Sequence, residues 1–487
     1  MTAAPPPTPT PAPANGAPTP SPAPDVAGAS RGQAVQGTTP PTVVGARATP
    51  GWPTMATGRR LDHAPDANES RGYVKPPGVD PEDIGLFVPR VVLTAPRLVF
   101  KLLFLPLQVL IEEGEKHKVA ERTVDLLYND ARTAAILPTA SFLTSYGLTF
   151  GLQAFDNNLG GHGEKASVSV LGGGMYSLAG QLQFQADRLF GSRAWVESRV
   201  LYERRPQMLF QGVGDEDEPS QAPGDPRATH LRTRFRENRF LALQRIGYTI
   251  GDEQTFQIGL LSIFNHRTFG SKQANDDPSI EKVYDTSQLP GFDNGATTLE
   301  IDANVVIDTR NNKGFASSGA YIEAFAGGVP RFREFGYFHQ GLAMTGFFNL
   351  YRQTRVLVLR GVIEGVEGPT ERIPFSELPQ LGGPQRLRGY RLGRFRDEKA
   401  AVVTVEYLYP IHANISGALF VDAGRVGHSY DKLVSNLGDV RLGVGGGFLF
   451  HMADKSLFSI DIAYGDSINI FFTSNPLRAF YQRERQL

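Results

Sequence analysis

The chain has 487 residues with 53 Gly, 35 Pro, no Cys and a formal net charge of −1, room for one large domain or two ordinary ones. The lack of Cys excludes disulfides, thiolate nucleophiles and Cys-ligated zinc, and the balanced charge gives no bulk field for nucleic acid. At 41% apolar residues the chain is too polar for a helical membrane protein, whereas a transmembrane barrel, where only alternate strand residues meet lipid, has such a composition.

Residues 1–87 are low complexity, as in Pro5-Pro6-Pro7-Thr8 and Pro20-Ser21-Pro22-Ala23-Pro24. Such sequence cannot bury enough apolar surface to offset its ordering entropy, so a disordered Pro/Ala-rich tail is expected, a linker or a tether across the cell wall. No secretory signal is visible, because Met1 leads straight into this tail. Residues 88–134 change character: Val91-Val92-Leu93, Leu98-Val99-Phe100, Leu102-Leu103-Phe104-Leu105 and Val109-Leu110-Ile111 are strongly apolar. Pro96 and Pro106 interrupt the stretch, and Arg97 and Lys101 sit inside it. A spanning helix tolerates neither well. The expectation is a short amphipathic helical segment at a membrane surface or barrel rim, with an uncleaved signal anchor over 98–111 as the alternative.

From residue 135 to 487 the period becomes two. In Leu299-Glu300-Ile301-Asp302-Ala303-Asn304-Val305 every odd residue is apolar and every even one polar, and Gln181–Asp187 and Phe458–Tyr464 repeat the pattern. In a strand the polar residues share one face. That face is outside in a soluble sandwich and lines the lumen in a membrane barrel. Strand candidates number about sixteen, the even count of a bacterial barrel with both ends on one side. The longest connections, about 206–230, 267–296 and 367–398, fall on one side of an up-and-down walk, and short links such as Gly251-Asp252 on the other. The fold class is therefore all-β: a 16-stranded antiparallel transmembrane barrel.

Residues 381–424 carry the densest chemistry. Leu381-Gly382-Gly383-Pro384-Gln385-Arg386-Leu387-Arg388-Gly389-Tyr390 is a cationic loop. On the strands that follow, Thr404 and Glu406 oppose Val403, Val405 and Tyr407, and Asp422 opposes Val421. Glu406 and Asp422 thus point into the lumen on neighbouring strands, and a loop folded inward could place an Arg between them as a charge-assisted contact. Two solvated carboxylates without a partner remain the alternative.

Leu387-Arg388-Gly389-Tyr390 resembles the tetrapeptide in the sixth extracellular loop of the BamA/TamA superfamily, the outer-membrane insertases and two-partner-secretion translocators. Phe420-Val421-Asp422-Ala423-Gly424 resembles the motif on that family's thirteenth strand. Asp308-Thr309-Arg310-Asn311-Asn312 with Ser318-Gly319 is similar to a strand-end motif of its surface-antigen members, and Ile136-Leu137-Pro138 before Tyr146-Gly147 to their first hairpin. The resemblance implies that Arg388 meets Glu406 and Asp422. It covers about 135–480 and fits the branch without POTRA domains, since residues 1–132 show no room or pattern for one. Family barrels end on an aromatic; Phe480 is the matching residue, although Tyr481–Leu487 follow.

Pro138 in the first strand and Pro476 in the last each lack a ladder donor. If these strands close the barrel, the seam is short of hydrogen bonds, as a lateral gate would require; the alternative is that both prolines sit harmlessly at strand ends.

Other signals carry less. The run Arg386, Arg388, Arg391, Arg394, Arg396 lacks interleaved stacking aromatics, so it is no nucleic-acid site, and most of these arginines read as a solvated or lipopolysaccharide-facing loop. Asp215–Glu218 and Asp276-Asp277 lack EF-hand spacing and read as exposed acidic loops. Gly443-Val444-Gly445-Gly446-Gly447 reads as strand glycines allowing bend or close approach. No His spacing marks a metal site and no GxSxG elbow a hydrolase, so neither a cofactor, a metal nor catalytic residues are expected.

The sequence therefore predicts a non-enzymatic barrel of the bacterial outer membrane. By resemblance it assists protein insertion, protein translocation or lipid movement through a gated seam. The alternatives are a passive pore and, third, an outer-membrane lipid hydrolase. The implied partners are outer-membrane lipids and lipopolysaccharide, an unfolded outer-membrane or secreted client, and a periplasmic partner protein.

Overall fold

Along strand Ala296–Asp308 the residues Glu300, Asp302 and Asn304 are 5, 2 and 2% exposed, while Ile301 and Val305 between them are 48 and 37% exposed. The polar face is inside and the apolar face outside. Water would enforce the reverse, so the environment of this sheet is lipid. The same inversion recurs at Phe150, Leu152, Val170, Leu182, Val403, Val421, Leu442 and Ile462, all exposed.

The computed structural model describes residues 127–473, apart from 215–223, 228, 252–254, 274–275, 413, 436 and 452–455. The expected tail, most of the expected helical segment, the acidic run from Asp215 and the residues Pro476 and Phe480 lie outside the described residues. Within them, Tyr128 bridges Ala135 antiparallel, and the Asn129 side chain accepts the N–H groups of Thr133 and Ala134. This turn leads into the first strand.

The strands are β1 (Ala134–Leu143), β2 (Gly147–Asp156), β3 (Lys165–Gly173), β4 (Tyr176–Ala186), β5 (Ala194–Phe210), β6 (Thr233–Ile250), β7 (Phe256–Ser271), β8 (Ala296–Asp308), β9 (Gly319–Phe332), β10 (Phe335–Tyr351) and β11 (Arg355–Glu367). A two-residue pair follows, β12 (Gln380–Leu381) with β13 (Phe395–Arg396), and then β14 (Lys399–His412), β15 (Ile415–Gly427), β16 (Arg441–His451), β17 (Ser456–Tyr464) and β18 (Ile468–Thr473). All but β12 and β13 form one closed antiparallel barrel of sixteen strands in which each pairs its neighbour in sequence and β18 returns to β1. Closure leaves no edge, which lipid demands because it offers backbone groups no partner.

The three long connections lie at one end. Phe210 and Val213 from the first, Ile280, Tyr284, Leu289 and Phe292 from the second, and Ile373, Phe375 and Leu378 from the third share one apolar cluster with Phe235, Val329 and Tyr337. Phe375 packs edge-on against Phe269 at 4.8 Å and Phe235 at 5.6 Å between ring centroids. The loops therefore fold into a cap with its own core.

Candidate functional site

The third long loop, 368–398, passes from the cap into the lumen. Four charged side chains fix its path along the wall. Glu377 accepts from Asn265 Nδ2 at 3.0 Å and pairs with Arg267 Nη2 at 3.2 Å on β7. Arg386 donates to Glu364 on β11. Arg396 Nη2 donates to the Leu209 carbonyl of β5 at 3.2 Å. Arg388 is the fourth. At the loop tip the Gly382 N–H donates to Arg386 O and the Gly383 N–H to Tyr390 O, both at 2.8 Å. Leu387 and Gly389 take positive φ, 63° and 99°. This tight reversal aims Arg388 outward at the wall.

Arg388 is 1% exposed. Its Nε and Nη2 donate to the two oxygens of Asp422 on β15, each at 2.9 Å, and its Nη1 donates to Glu406 on β14 at 2.8 Å. Thr404 Oγ1 also donates to Asp422, at 2.8 Å. The guanidinium carbon lies 3.2 Å from the centroid of the Phe420 ring, a cation–π contact in a desolvated setting. Burial works against the Arg388 charge, but Asp422 and then Glu406 outweigh it, so its pKa lies above the ordinary arginine value.

The tip then runs across the remaining strands. A Cβ at Gly443 of β16 would lie 1.7 Å from the Arg388 carbonyl oxygen, so only glycine admits the loop there. Tyr390 OH donates to the Leu442 carbonyl at 3.2 Å. A Cβ at Gly389 would lie 2.7 Å from the Tyr464 carbonyl. The Gly389 carbonyl accepts from Asn469 Nδ2 of β18 at 2.9 Å. The tetrapeptide Leu387, Arg388, Gly389, Tyr390 thus touches every strand from β14 to the closing strand.

At the seam, Phe142 faces Phe472 and Leu143 faces Phe471, the two residue pairs between β1 and β18 among the described residues. Beyond them Thr144 replaces a backbone rung: its Oγ1 accepts the Ile470 N–H at 2.7 Å and donates to the Ile470 carbonyl at 2.9 Å. Pro138 is the fifth residue of β1, opposite Leu152 of β2, so it sits inside the strand and not at its end.

At the short-turn end, the Asp308 motif is a self-contained fold. Arg310 clamps Asp308 through Nε and Nη2 at 2.8 and 2.9 Å, and the Asn311 side chain accepts from the Ser317 and Ser318 N–H groups at 3.0 and 3.1 Å. The turn reaches the opposite wall. Gly314 O accepts from Ser456 of β17, and Phe315 stacks on His451 of β16 at 3.9 Å.

Two sequence expectations need correction. The arginines around Arg388 are not a solvated loop: Arg394 and Arg396 are buried and Arg386 is held by Glu364. The loop folds inward because the lumen, not bulk water, supplies its counter-charges. Asp277 is likewise buried, held by the Nε atoms of Arg232 at 2.8 Å and Arg234 at 2.9 Å. Sequence reasoning also missed Glu364, Glu377 and Asn469, whose partners are set by the loop's path, and Thr144, which meets the Ile470 backbone across the seam. It missed the convergence of Glu300 and Asp302 of β8 with His339 of β10. Strand alternation marks Glu300, Asp302 and His339 as lumenal but cannot pair them.

Residues 158–469 match the model of the Omp85 superfamily domain. Comparison with curated proteins gives no match. Among solved structures, BamA from Haemophilus ducreyi lacking POTRA domains 1–3 aligns at 14% identity and TM-score 0.50, covering 70% of each chain. CdiB from Acinetobacter baumannii aligns at 14% identity and TM-score 0.42 over 69% of this chain and 58% of that one. CdiB from Escherichia coli aligns at 9% identity and TM-score 0.47 over 69% and 62%. At such identity the BamA likeness shows the fold.

Proposed function

The chain belongs to the Omp85 superfamily of outer-membrane barrels, and from that premise we propose that it passes a client sideways through the β1–β18 seam. The client is a membrane protein being inserted, a protein being translocated or a lipid being moved. Lipid and lipopolysaccharide surround the apolar outer band, and a periplasmic partner protein would deliver an unfolded client. No residue is assigned a catalytic role.

One observation carries the reading. Asp422 holds Arg388, the next residue Gly389 accepts from Asn469, and Asn469 is followed by Ile470, which Thr144 ties across the seam. The buried clasp and the closing strand pair are thus joined by one unbroken path. A loop so placed sets how firmly β18 is held against β1. The passive-pore reading fits less well, because the loop, its cap and the Asp308 turn fill space that a pore would leave to water.

Reconstitution in liposomes tests the proposal. The wild-type barrel is expected to speed insertion of an unfolded outer-membrane protein, or transbilayer movement of labelled lipid, over protein-free vesicles. No change in either rate, with large ungated conductance in planar bilayers, would establish the pore instead.

A further inference from the structure

The lumenal wall holds a second cluster, independent of the seam reading. Asp302 on β8 and His339 on β10 are both register partners of Gly327 on β9. Three strands therefore place them in one row, with no side chain between them. A Cβ at Gly327 would lie 2.3 Å from Asp302 Oδ1, so the Asp302 carboxylate occupies the space that the glycine leaves. Glu300 lies two residues before Asp302 on the same face. The ligand atoms of Glu300, Asp302 and His339 all lie within 4.8 Å of one another, and all three residues are buried.

The imidazole contacts decide what such a cluster can hold. His339 Nε2 lies 2.9 Å from Glu364 Oε1, and His339 Nδ1 contacts Glu300 Oε1. Ionised carboxylates only accept, whereas a neutral imidazole carries one N–H. One contact is satisfied by that hydrogen; the other needs a further proton, on the ring or on a carboxyl group, or a metal cation. Donation from Nε2 to Glu364 leaves the Nδ1 lone pair directed at Glu300, on the side where Asp302 also converges. A histidine ligand characteristically donates its other N–H to a carboxylate, which fixes the ring. Glu364 is fixed in turn by Arg386, and Phe325 packs edge-on against the ring at 4.7 Å.

We propose that Glu300, Asp302 and His339 form a binding site for a divalent cation of the zinc class, with Glu364 as a positioning residue. One imidazole and two carboxylates suit zinc, which bonds nitrogen and oxygen at ~2.0–2.2 Å; Mg²⁺ and Ca²⁺ favour all-oxygen sets. The bound ion ties β8 to β10 across β9 and, through Glu364, to Arg386 in the loop that carries Arg388.

The test uses the full chain refolded into detergent with chelator, then titrated calorimetrically with ZnCl₂. Wild type is expected to bind one zinc and to unfold at a higher temperature when loaded. His339→Gln should abolish that binding, and Glu364→Gln should weaken it by roughly 10–100-fold. Failure of wild type to retain zinc after dialysis would mean that a proton, and not a metal ion, satisfies the contact between His339 and Glu300, and would overturn the proposal. So would wild-type affinity and stoichiometry in His339→Gln. If that variant does not fold, zinc-edge X-ray absorption of the loaded wild type decides. One imidazole with carboxylate oxygens supports the site, and several imidazoles overturn it.

Discussion

Arg388 meets Asp422 three times: its backbone N–H and its Nε both reach Oδ2, at 2.8 and 2.9 Å, and its Nη2 reaches Oδ1 at 2.9 Å. The backbone contact means that Asp422 fixes the path of the loop as well as its charge. Arg388→Ala would remove the guanidinium counter-charge from the buried Asp422 carboxylate and the partly buried Glu406 carboxylate, a loss of about 3–5 kcal/mol. The temperature at which the barrel loses its folded gel mobility should fall accordingly. Adding Asp422→Asn to Arg388→Ala should cost less than it does alone, because the charge it removes has already lost its partner. Additive losses would show that the two residues act independently.

Gly443 offers a steric test of the same contact. Gly443→Ala would drive a methyl group into the Arg388 carbonyl, so overpacking of about 1–3 kcal/mol or more is expected. A methyl group added at Gly361 of β11 would meet nothing within 4 Å, and Gly361→Ala should leave the urea midpoint nearly unchanged. Equal effects at both positions would mean that the loop does not press on β16.

Much of this architecture was readable from residue order. Strict alternation in Leu299–Val305 gave both the strand and its polar face, since a period of two survives any context. Glu406 and Asp422 could be placed on one lumenal face for the same reason, and Arg388 stood out from its neighbours by the tetrapeptide around it. Arg386 and Glu364 could not be joined, nor Glu377 and Arg267. Their partnership depends on where a 31-residue loop turns, 368–398, and local propensity does not encode that path. The burial of Arg394 and Arg396 and the pairing of Arg386 were missed because a basic loop reads as solvated unless its counter-charges are known to be lumenal.

Acid should strengthen the loop's attachment through Asp397. Burial pushes this carboxyl up to about 6, against the opposing pull of the Glu398 N–H and Arg227. Below the ordinary carboxylate range both folded and unfolded chains hold the proton. Between that range and pH 6 the folded chain alone retains it, so stability falls as pH rises through this window and levels off above it. Asp397→Asn should flatten the profile and slow hydrogen exchange in 380–398 at neutral pH, by roughly 1–3 kcal/mol. A wild-type profile that rises from pH 4 to 6 through this residue would contradict the assignment.

The lipid-facing surface predicts an asymmetry along β14. Val405 is exposed near the middle of the strand, whereas the adjacent Thr404 is buried against Asp422. Val405→Arg should destabilise the barrel in bilayers by about 2–4 kcal/mol. Thr404→Val should act instead through the lost Asp422 bond, about 1–3 kcal/mol. Tolerance of Arg at 405 in lipid would place that face away from the hydrocarbon.

The seam is the most direct point of attack. Phe142 and Phe472 are Cα partners across β1 and β18, so Phe142→Cys with Phe472→Cys places two thiols on opposite sides of the closure in a chain that otherwise has none. The measurement is client insertion or lipid movement in liposomes by this double variant, oxidised and then reduced, beside each single variant. Oxidation is expected to abolish activity and reduction to restore it, with no response in either single variant. Full activity in the cross-linked barrel would contradict a seam that opens.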